Sequence, residues 1–493
     1  MSLLRMLALG TASTAIAMIS PTTALAQDRS SEAVAAVQAR MELIDQQKNR
    51  IPGRVLVFAK AGENAIIDTR GTINVETGEP LTEQTPVYIA SMTKAFVGLM
   101  AVRLDQMGIM PLDMSLADAY PDMSIEGVDL TSVSMRHALS HRLGFYSNVM
   151  SLRTAYTDQL PVSEYEKVVS AAHELTETEF NYSNTGYILY AGALERHTGR
   201  SWKAWLDELV LHPLGMRHSS SRASDLAGIS NTHEIYGEEW KVYSPKSDSI
   251  MHAAGGLFVS GEDMGKWLAA NAGAASKIGA NEFAAAQQSV SEIDRDFGPI
   301  KCTGYAMGWS ECELGGITFL EHGGTYTGSR SEMIVVPELG VGFAAIFNSD
   351  SVTGRLGARL MMTYVAELAN MGDTLPSPEQ FAEDYARRAD RYRMGRSRQD
   401  AKPHIDFESD ARLLATYTGR YVNPVGGELR LAVEKGQLVG WLNGMEVLLK
   451  QIDDHVFSAQ IRTSSNVEEI SFGLDAAGSI KSVDWDGLQF LPL

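Results

Sequence analysis

The sequence predicts an α+β domain followed by a small, barrel-like all-β domain. Segments typical of strands lie at both ends of residues 30–370, and helical patterns fill the stretch between them. Residues 371–410 are highly charged and contain three prolines, which predicts a charged helix and a linker. Residues 411–493 are short alternating runs separated by Gly, Asn and Asp, the pattern of an antiparallel β-domain.

The first 26 residues have the pattern of a secretory signal peptide. Arg5 supplies a positive charge, an apolar stretch follows, and "ALA" at 24–26 offers a small-residue cleavage site. A membrane anchor is the alternative, but the apolar stretch is short and is interrupted by Thr and Ser. We therefore expect an exported protein, periplasmic or secreted, with no transmembrane segment in the mature chain.

The elements of residues 30–370 follow in order. "SEAVAAVQARMELIDQQ" predicts an amphipathic first helix, and "RVLVFAKAG" with "AIIDTRG" predicts a hairpin. "MTKAFVGLMAVRLDQMG" is apolar on most sides, which predicts a buried helix that ends at Gly108. Strands return at "TGYAMGWSECE", "GITFLEHGG" and "RSEMIVVPELGVGFAAIFNS", so we expect a sheet built from distant segments.

Composition limits the classes of partner. The chain has 493 residues, more than one ordinary core holds, so two domains are expected. Its net charge of −19 would repel phosphate backbones, which argues against nucleic-acid binding. We expect a small-molecule or peptide substrate and neither a cofactor nor a metal; the sequence predicts no oligomeric state.

The two cysteines, Cys302 and Cys312, leave two alternatives open. An oxidising compartment would permit a disulfide between them, and otherwise they are two packed thiols. Two thiols without nearby histidines make a poor metal site.

The first candidate for chemistry is the pair Ser91 and Lys94 in "ASMTKAF". If Ser91 opens the buried helix, Lys94 lies one turn along on the same face. Desolvation lowers the pKa of a lysine, so this lysine can take the proton of a serine nucleophile. The alternative is an N-cap serine followed by a lysine that reaches solvent.

The second candidate is Tyr182, two residues before Asn184 and next to a helical stretch. A tyrosine beside the serine can relay its proton to a leaving group, and an asparagine can bind a substrate carbonyl. "FYSN" at 145–148 repeats the same Tyr-Ser-Asn, so composition alone does not choose between Tyr182 and Tyr146.

The third candidate is "EHGGTYTG", where His322 precedes Gly323 and Gly324. Glycines in a strand let a substrate backbone approach its edge, and a polar ring beside them can contact substrate or tyrosine. The alternatives are an ordinary packed histidine and a turn.

Together these motifs resemble the penicillin-recognising serine hydrolases, in the branch of class C β-lactamases, D-alanyl-D-alanine carboxypeptidases, D-aminopeptidases and related esterases. The resemblance covers roughly residues 35–365 and includes "MRHALSHRLGFY", "HAAGGLFVSGEDMGKWL" and "YAMGWS" in the family's order. It implies a β-lactamase/transpeptidase-like fold, an antiparallel sheet flanked by helices plus a helical subdomain. Residues 411–493 resemble the lipocalin-like modules appended to several members.

The resemblance also implies roles. Ser91 is acylated, Lys94 and Tyr182 move the protons, Asn184 orients the substrate amide, and Tyr146 becomes structural or lines the cleft. The oxyanion would be held by the backbone N–H groups of Ser91 and Thr325.

Histidine stands where many members carry a lysine. A histidine is only partly charged near neutral pH, which disfavours an efficient β-lactamase. Arg330 could bind a substrate carboxylate instead, or be a solvated surface residue.

We therefore expect a peptidase or amidase, with a carboxylesterase and a weak β-lactamase or slowly acylating penicillin-binding sensor as alternatives. Neither a Gly-x-Ser-x-Gly elbow nor a His-Glu-x-x-His motif is present.

Overall fold

The computed structural model of the chain describes residues 29–47, 51–157, 160–350, 352–400, 411–464 and 466–493. The predicted signal peptide and residues 401–410 of the predicted linker lie outside these ranges. No helix within the described residues combines the length and apolarity that a membrane span requires.

The helices are α1 (Ser30–Asp45), α2 (Thr93–Gln106), α3 (Leu116–Ala119), α4 (Met135–Leu139), α5 (Asn148–Ala155), α6 (Tyr165–Ala171), α7 (Thr185–Thr198), α8 (Trp202–Leu206), α9 (Gly261–Asn271), α10 (Ala280–Gln287), α11 (Leu356–Leu368), α12 (Pro378–Asp400) and α13 (Ala411–Thr416). The predicted first helix and the predicted buried helix, α1 and α2, begin and end close to the predicted positions.

The strands form one large sheet, three short pairs and a barrel. They are β1 (Gly53–Lys60), β2 (Ile66–Gly71), β3 (Val87–Tyr88), β4 (Phe145–Tyr146), β5 (Glu174–Leu175), β6 (Thr232–Tyr236), β7 (Glu239–Tyr243), β8 (Phe258–Val259), β9 (Ser291–Phe297), β10 (Ile300–Tyr305), β11 (Ser310–Leu314), β12 (Ile317–Tyr326), β13 (Ser329–Val336), β14 (Val341–Phe347), β15 (Gly419–Asn423), β16 (Gly427–Glu434), β17 (Gln437–Leu442), β18 (Met445–Asp453), β19 (Val456–Ile461), β20 (Glu468–Leu474), β21 (Ile480–Trp485) and β22 (Leu488–Pro492).

The large sheet joins segments from the two ends of the first domain, as predicted. Its antiparallel strands stand in the order β2-β1-β14-β13-β12-β11-β10-β9. In β1, Val55 and Val57 face one apolar core while Leu56 and Phe58 face the other. Because both faces are covered, this strand is a continuous apolar run rather than an alternating one.

The two cores use different helices. One core lies between the sheet and the helical subdomain, which includes α2 and α7; the other is covered by α1, α11 and the start of α12. Residues 93 to 102 of α2 are all buried, which confirms the predicted buried helix. Lys94 lies within this run, so the fold removes its ammonium group from water.

The C-terminal strands β15 to β22 close into an eight-stranded antiparallel barrel, which confirms the predicted barrel-like domain. The barrel packs on α5 of the first domain. Leu152 and Tyr156 reach its core, the Arg153 guanidinium donates to the Val425 carbonyl at 2.9 Å, and the Thr463 hydroxyl donates to the Tyr156 carbonyl at 2.7 Å.

Candidate active site

Ser91 lies in a tight turn (Ala90–Met92) directly before α2. Ala90 has a φ of +46°, a left-handed conformation that is strained for a residue with a Cβ atom. Two hydroxyls of β13 hold this turn: Ser329 Oγ donates to the Tyr88 carbonyl at 2.8 Å and Ser331 Oγ to the Ile89 carbonyl at 2.9 Å. The strained turn and its anchors fix where the serine side chain enters the cleft.

Lys94 is fully buried and faces three oxygen atoms. Its Nζ lies 3.0 Å from Ser91 Oγ, 3.0 Å from Asn184 Oδ1 and 2.8 Å from the Ala254 carbonyl. The amide and carbonyl oxygens only accept hydrogen bonds. A neutral amine that donates its two N–H groups to them keeps its lone pair for the Ser91 hydroxyl.

Burial favours that neutral form. It lowers the pKa of Lys94 well below the ordinary value for a lysine. The geometry and the pKa therefore both suit Lys94 to accept the serine proton.

Tyr182 also reaches the nucleophile. Tyr182 is 44% exposed as a whole residue, but its hydroxyl group is buried and forms a hydrogen bond with Ser91, and Lys94 Nζ lies 4.9 Å from the ring centre. Removal from water raises the pKa of Tyr182, and the bond to Ser91 only partly offsets this rise. The phenol therefore keeps its proton at neutral pH and is suited to donate it.

The structure separates the two Tyr-Ser-Asn motifs. Tyr146 lies in β4 and its hydroxyl donates to Glu174 Oε2 at 2.5 Å, whereas Tyr182 contacts Ser91. Asn184 directly precedes α7 and accepts from Lys94. The geometry thus places the second motif, not the first, at the serine.

Residues 322–326 of β12 form a free strand edge beside Ser91. β13 pairs with them on one side, whereas β11 on the other side pairs only as far as Glu321. The backbone N–H and C=O groups of this edge are the kind that bind an extended substrate or an oxyanion. Thr325 lies on this edge and is exposed.

Gly323 and Gly324 are required by packing within the protein rather than by the approach of a substrate backbone. A Cβ atom on Gly324 would lie 2.3 Å from the Ile89 carbonyl oxygen, and one on Gly323 would lie 3.0 Å from Glu332 Oε2. Gly324 therefore allows β12 to pack against the Ser91 turn, and Gly323 leaves room for a buried carboxyl group. Neither observation depends on a substrate.

His322 belongs to a chain of hydrogen bonds that fixes its tautomer. The Ser183 N–H donates to His141 Nδ1 at 3.2 Å, so His141 Nε2 carries the proton and donates to Tyr305 Oη at 3.0 Å. At the far end, His322 Nδ1 donates to the Gly323 carbonyl at 2.7 Å. His322 Nε2 is then a lone pair that faces Tyr305 Oη at 3.4 Å.

Both histidines are therefore uncharged. Burial lowers the pKa of His322 to about 3, and burial lowers that of His141 well below its usual range. The expectation that His322 is partly charged near neutral pH is thus wrong, because burial disfavours the charged form of the ring.

The remaining predicted residues are at the edge of the site or away from it. The Arg330 guanidinium donates to the Thr325 hydroxyl, which places it at the outer end of the free edge. Cys302 and Cys312 form a disulfide between β10 and β11. With Glu321 they make a compact group, but a disulfide offers no thiolate to a metal, and Glu321 pairs with Arg295.

Sequence reasoning assigned no role to His141, Tyr305 or the Ala254 carbonyl. His141 and Tyr305 lie in "ALSHRLGF" and "YAMGWS", which carried the resemblance without suggesting a contact. Their rings meet across 164 residues of sequence, so no local pattern could indicate the pairing.

Comparisons with known proteins agree with this architecture. The β-lactamase family model matches residues 33–366, and a domain of unknown function (DUF3471) matches residues 405–492. Protein flp of Staphylococcus aureus (strain COL) is 24% identical over 313 residues, which is 62% of this chain and 61% of that protein. The chain therefore spans about three fifths of the length of the first curated relatives it matches.

Solved structures show the same fold. The octameric penicillin-binding protein homologue from Pyrococcus abyssi aligns with a TM-score of 0.57 and 19% identity over 93% of this chain and 99% of that one. The D-stereospecific amidohydrolase from Streptomyces sp. aligns with a TM-score of 0.52 and 21% identity over 70% of this chain and 98% of that one. These alignments confirm the predicted β-lactamase/transpeptidase-like fold.

Proposed function

Because the chain belongs to the β-lactamase family, we propose that it is an exported serine hydrolase that cleaves amide bonds of peptides through an acyl-enzyme on Ser91. The observation that carries this proposal is the 3.0 Å contact between Lys94 Nζ and Ser91 Oγ, with the other two contacts of Nζ made to oxygen acceptors. That geometry leaves the amine lone pair for the serine proton.

In the acylation step, Ser91 Oγ attacks the substrate carbonyl carbon and its proton passes to Lys94 Nζ. The carbonyl oxygen becomes an oxyanion, held by the backbone N–H groups of Ser91 and Thr325. Tyr182 then gives its proton to the leaving nitrogen and is reprotonated from Lys94, so the C–N bond breaks and an ester to Ser91 remains.

Deacylation reverses these roles. Water attacks the ester carbonyl while Lys94 takes one of its protons, and Ser91 Oγ leaves with a proton to release the acid product. Asn184, already hydrogen-bonded to Lys94, would orient the substrate amide.

The choice of amide substrates has separate support. The amidohydrolase from Streptomyces with the same fold is described as D-stereospecific, so peptides that contain D-residues are the first substrates to test. The neutral His322 ring provides no cation beside the reacting centre, which argues against β-lactams and leaves uncharged carboxylic esters as the second candidate.

Export is part of the proposal and has its own support. The pattern of residues 1–26 is that of a signal peptide, and the Cys302–Cys312 disulfide suits an oxidising compartment. Mass analysis of the protein from the culture supernatant or periplasm should show a new N-terminus at Gln27, and recovery of an uncleaved cytoplasmic chain would contradict export.

The activity is tested by hydrolysis of D- and L-alanyl p-nitroanilides, short-chain p-nitrophenyl esters and a chromogenic cephalosporin, with Ser91→Ala subtracted. We expect stereoselective cleavage of the anilides that falls at least about 10³-fold in Ser91→Ala. Turnover confined to the esters would make the protein an esterase. Stable acylation by the cephalosporin without turnover would favour the sensor alternative.

A further inference from the structure

A cavity of about 460 Å³ lies between the first domain and the barrel. Its first-domain wall includes Tyr88, Lys246 and Tyr326, and its barrel wall includes Met445, Leu448 and Thr463. Tyr326 is the last residue of the free edge of β12, and Tyr88 is the last residue of the strand before the Ser91 turn. The cavity therefore adjoins the candidate active site from the barrel side.

Lys246 places a buried amine in the wall of this cavity. Its side chain is only 5% exposed, and its Nζ lies 3.4 Å from Tyr88 Oη and 4.1 Å from the centre of the Tyr326 ring. Among the described residues, no carboxylate lies within ion-pair distance of Nζ. Charging this buried amine is costly in the empty protein, and a carboxylate bound in the cavity would supply the missing counter-ion.

The surroundings of Lys246 are cationic as well. Lys203 adds to the burial that lowers its pKa, and nearby His252, whose pKa is lowered chiefly by burial, supplies no negative charge. The nearest acid on the barrel wall, Glu446, is already paired with Arg462. The electrostatics of the cavity therefore favour an anion, and its aromatic and aliphatic walls favour one with an apolar body.

The contacts also set an upper limit on the distance from Lys246 Nζ to the backbone of Ser91. A Cβ atom on Gly255 would lie 3.6 Å from Tyr88 Oη and 3.5 Å from the Ala90 carbonyl carbon, which is bonded to the Ser91 nitrogen. Added to the 3.4 Å from Tyr88 Oη to Lys246 Nζ, these distances put Nζ no more than about 12 Å from that nitrogen. An extended peptide covers this distance in about three residues.

We propose that this cavity is a substrate subsite in which Lys246 binds a carboxylate carried up to about three residues from the cleaved bond, with the barrel as its outer wall. The inference rests on the proposed function and adds a substrate class to it, amides that carry an apolar segment with a terminal carboxylate on the acyl side of the cleaved bond. It also gives the barrel a role, because Met445, Leu448 and Thr463 complete the site.

The test compares matched substrates. The N-succinyl and N-succinamoyl forms of D-alanyl p-nitroanilide, with zero, one or two inserted alanines, differ only in the terminal carboxylate. We expect the wild type to prefer the carboxylate form at one spacing by about tenfold in KM, because an ion-paired hydrogen bond is stronger than a neutral one. Lys246→Met should remove that preference, whereas Lys301→Met, at an exposed position of β10, should keep it.

Binding is measured separately, so that a failure of the proposed reaction does not leave the subsite untested. In the Ser91→Ala protein, calorimetry with N-succinyl-D-alanyl-D-alanine should show binding that is about tenfold weaker after Lys246→Met or Lys246→Gln. Lys301→Met, at an exposed position of β10, is the matched control and should bind like its parent. Affinity that survives both Lys246 variants would overturn the subsite.

The empty protein supplies a further readout. Lys246 lacks a counter-ion, so its buried amine lowers the stability of the unliganded protein. Lys246→Met should therefore raise the melting temperature, as is common for residues that serve function at a cost in stability. A structural lysine would give a lower melting temperature and an unchanged carboxylate preference, and that pair of results would overturn the proposal.

Discussion

At the scale of single residues, the site is defined by one buried lysine and the oxygens around it. Lys94 owes its chemistry to position, since it lies in a run of ten buried residues and faces no carboxylate in its described surroundings. Its two N–H groups donate to Asn184 and to the Ala254 carbonyl, so the lone pair of Nζ is left for the Ser91 hydroxyl. The raised pKa of Tyr182 assigns the other role, so that the lysine is the base and the tyrosine is the acid.

Replacing Lys94 with arginine should abolish that base at every pH. Arginine stays protonated, so kcat/KM should fall by about 10³-fold. In the wild type, the lone pair is lost as pH falls through the lowered pKa of Lys94, so the rate should fall on the acid side and rise with pH until the amine is neutral. A pH profile of acylation checks both points, and a Lys94→Arg variant with more than a tenth of wild-type activity would contradict the assignment.

The duplicated Tyr-Ser-Asn motif offers a matched pair of variants. Tyr182→Phe removes the hydroxyl that bonds Ser91 and should lower kcat by about 10²-fold. Tyr146→Phe removes a hydroxyl that bonds Glu174 and should change kcat by less than about threefold. Steady-state kinetics of the two variants show which tyrosine acts at Ser91. A larger loss of kcat in Tyr146→Phe than in Tyr182→Phe would contradict the role of Tyr182.

At the scale of elements, the His141–Tyr305–His322 contacts join two walls of the cleft. The Asn181 N–H donates to the His141 carbonyl at 2.8 Å and the Ser183 N–H to its ring, so His141 holds the loop that carries Tyr182. His322 holds the edge of β12 through Gly323. Tyr305 of β10 lies between the two rings and sets their separation.

Tyr305→Phe should therefore loosen both walls. It leaves the His141 Nε2 proton without its acceptor, which should lower the free energy of unfolding by about 1–3 kcal/mol and kcat/KM by at least about tenfold. Tyr190→Phe is the control, because the buried Tyr190 hydroxyl of α7 has no partner among the described residues. Chemical denaturation should show that this control is as stable as the wild type or more so. Equal losses of stability in both variants would contradict the role of the His141–Tyr305–His322 hydrogen bonds.

Elements whose pattern is local were predictable from the sequence, whereas contacts between distant elements were not. The apolar pattern of α2 and the β1–β2 hairpin are local, and both were predicted close to their observed bounds. The alternating runs of residues 411–493 are local as well, and they predicted the barrel-like domain. The choice between Tyr146 and Tyr182 depended on a resemblance, since both motifs have the same composition. The contacts of Tyr305 and Lys246 were missed because they depend on how distant segments meet.

At the scale of the whole molecule, the barrel is an integral wall rather than a detached module. Tyr156 stacks on Tyr326 with ring centres 5.0 Å apart and packs against the barrel core, and the Tyr326 hydroxyl donates to the Ala155 carbonyl at 3.0 Å. These contacts link the barrel to the strand that forms the free edge of the site.

Tyr156→Ala should uncouple the two domains. Loss of the stacked ring removes at least about 1 kcal/mol of packing, so the barrel should unfold at a lower urea concentration than the first domain. Tryptophan fluorescence follows both, since Trp441 and Trp485 lie in the barrel. Tyr156→Phe keeps the ring and should behave like the wild type, and an unchanged single transition in Tyr156→Ala would refute the coupling.

The most direct test of the account is the mass of the protein during turnover of a D-alanyl p-nitroanilide. We predict an acyl adduct that peptide mapping assigns to Ser91, that disappears as hydrolysis completes and that never forms in Ser91→Ala. An adduct on another residue, or undiminished hydrolysis by Ser91→Ala, would contradict the central claim that Lys94 activates Ser91 as the nucleophile.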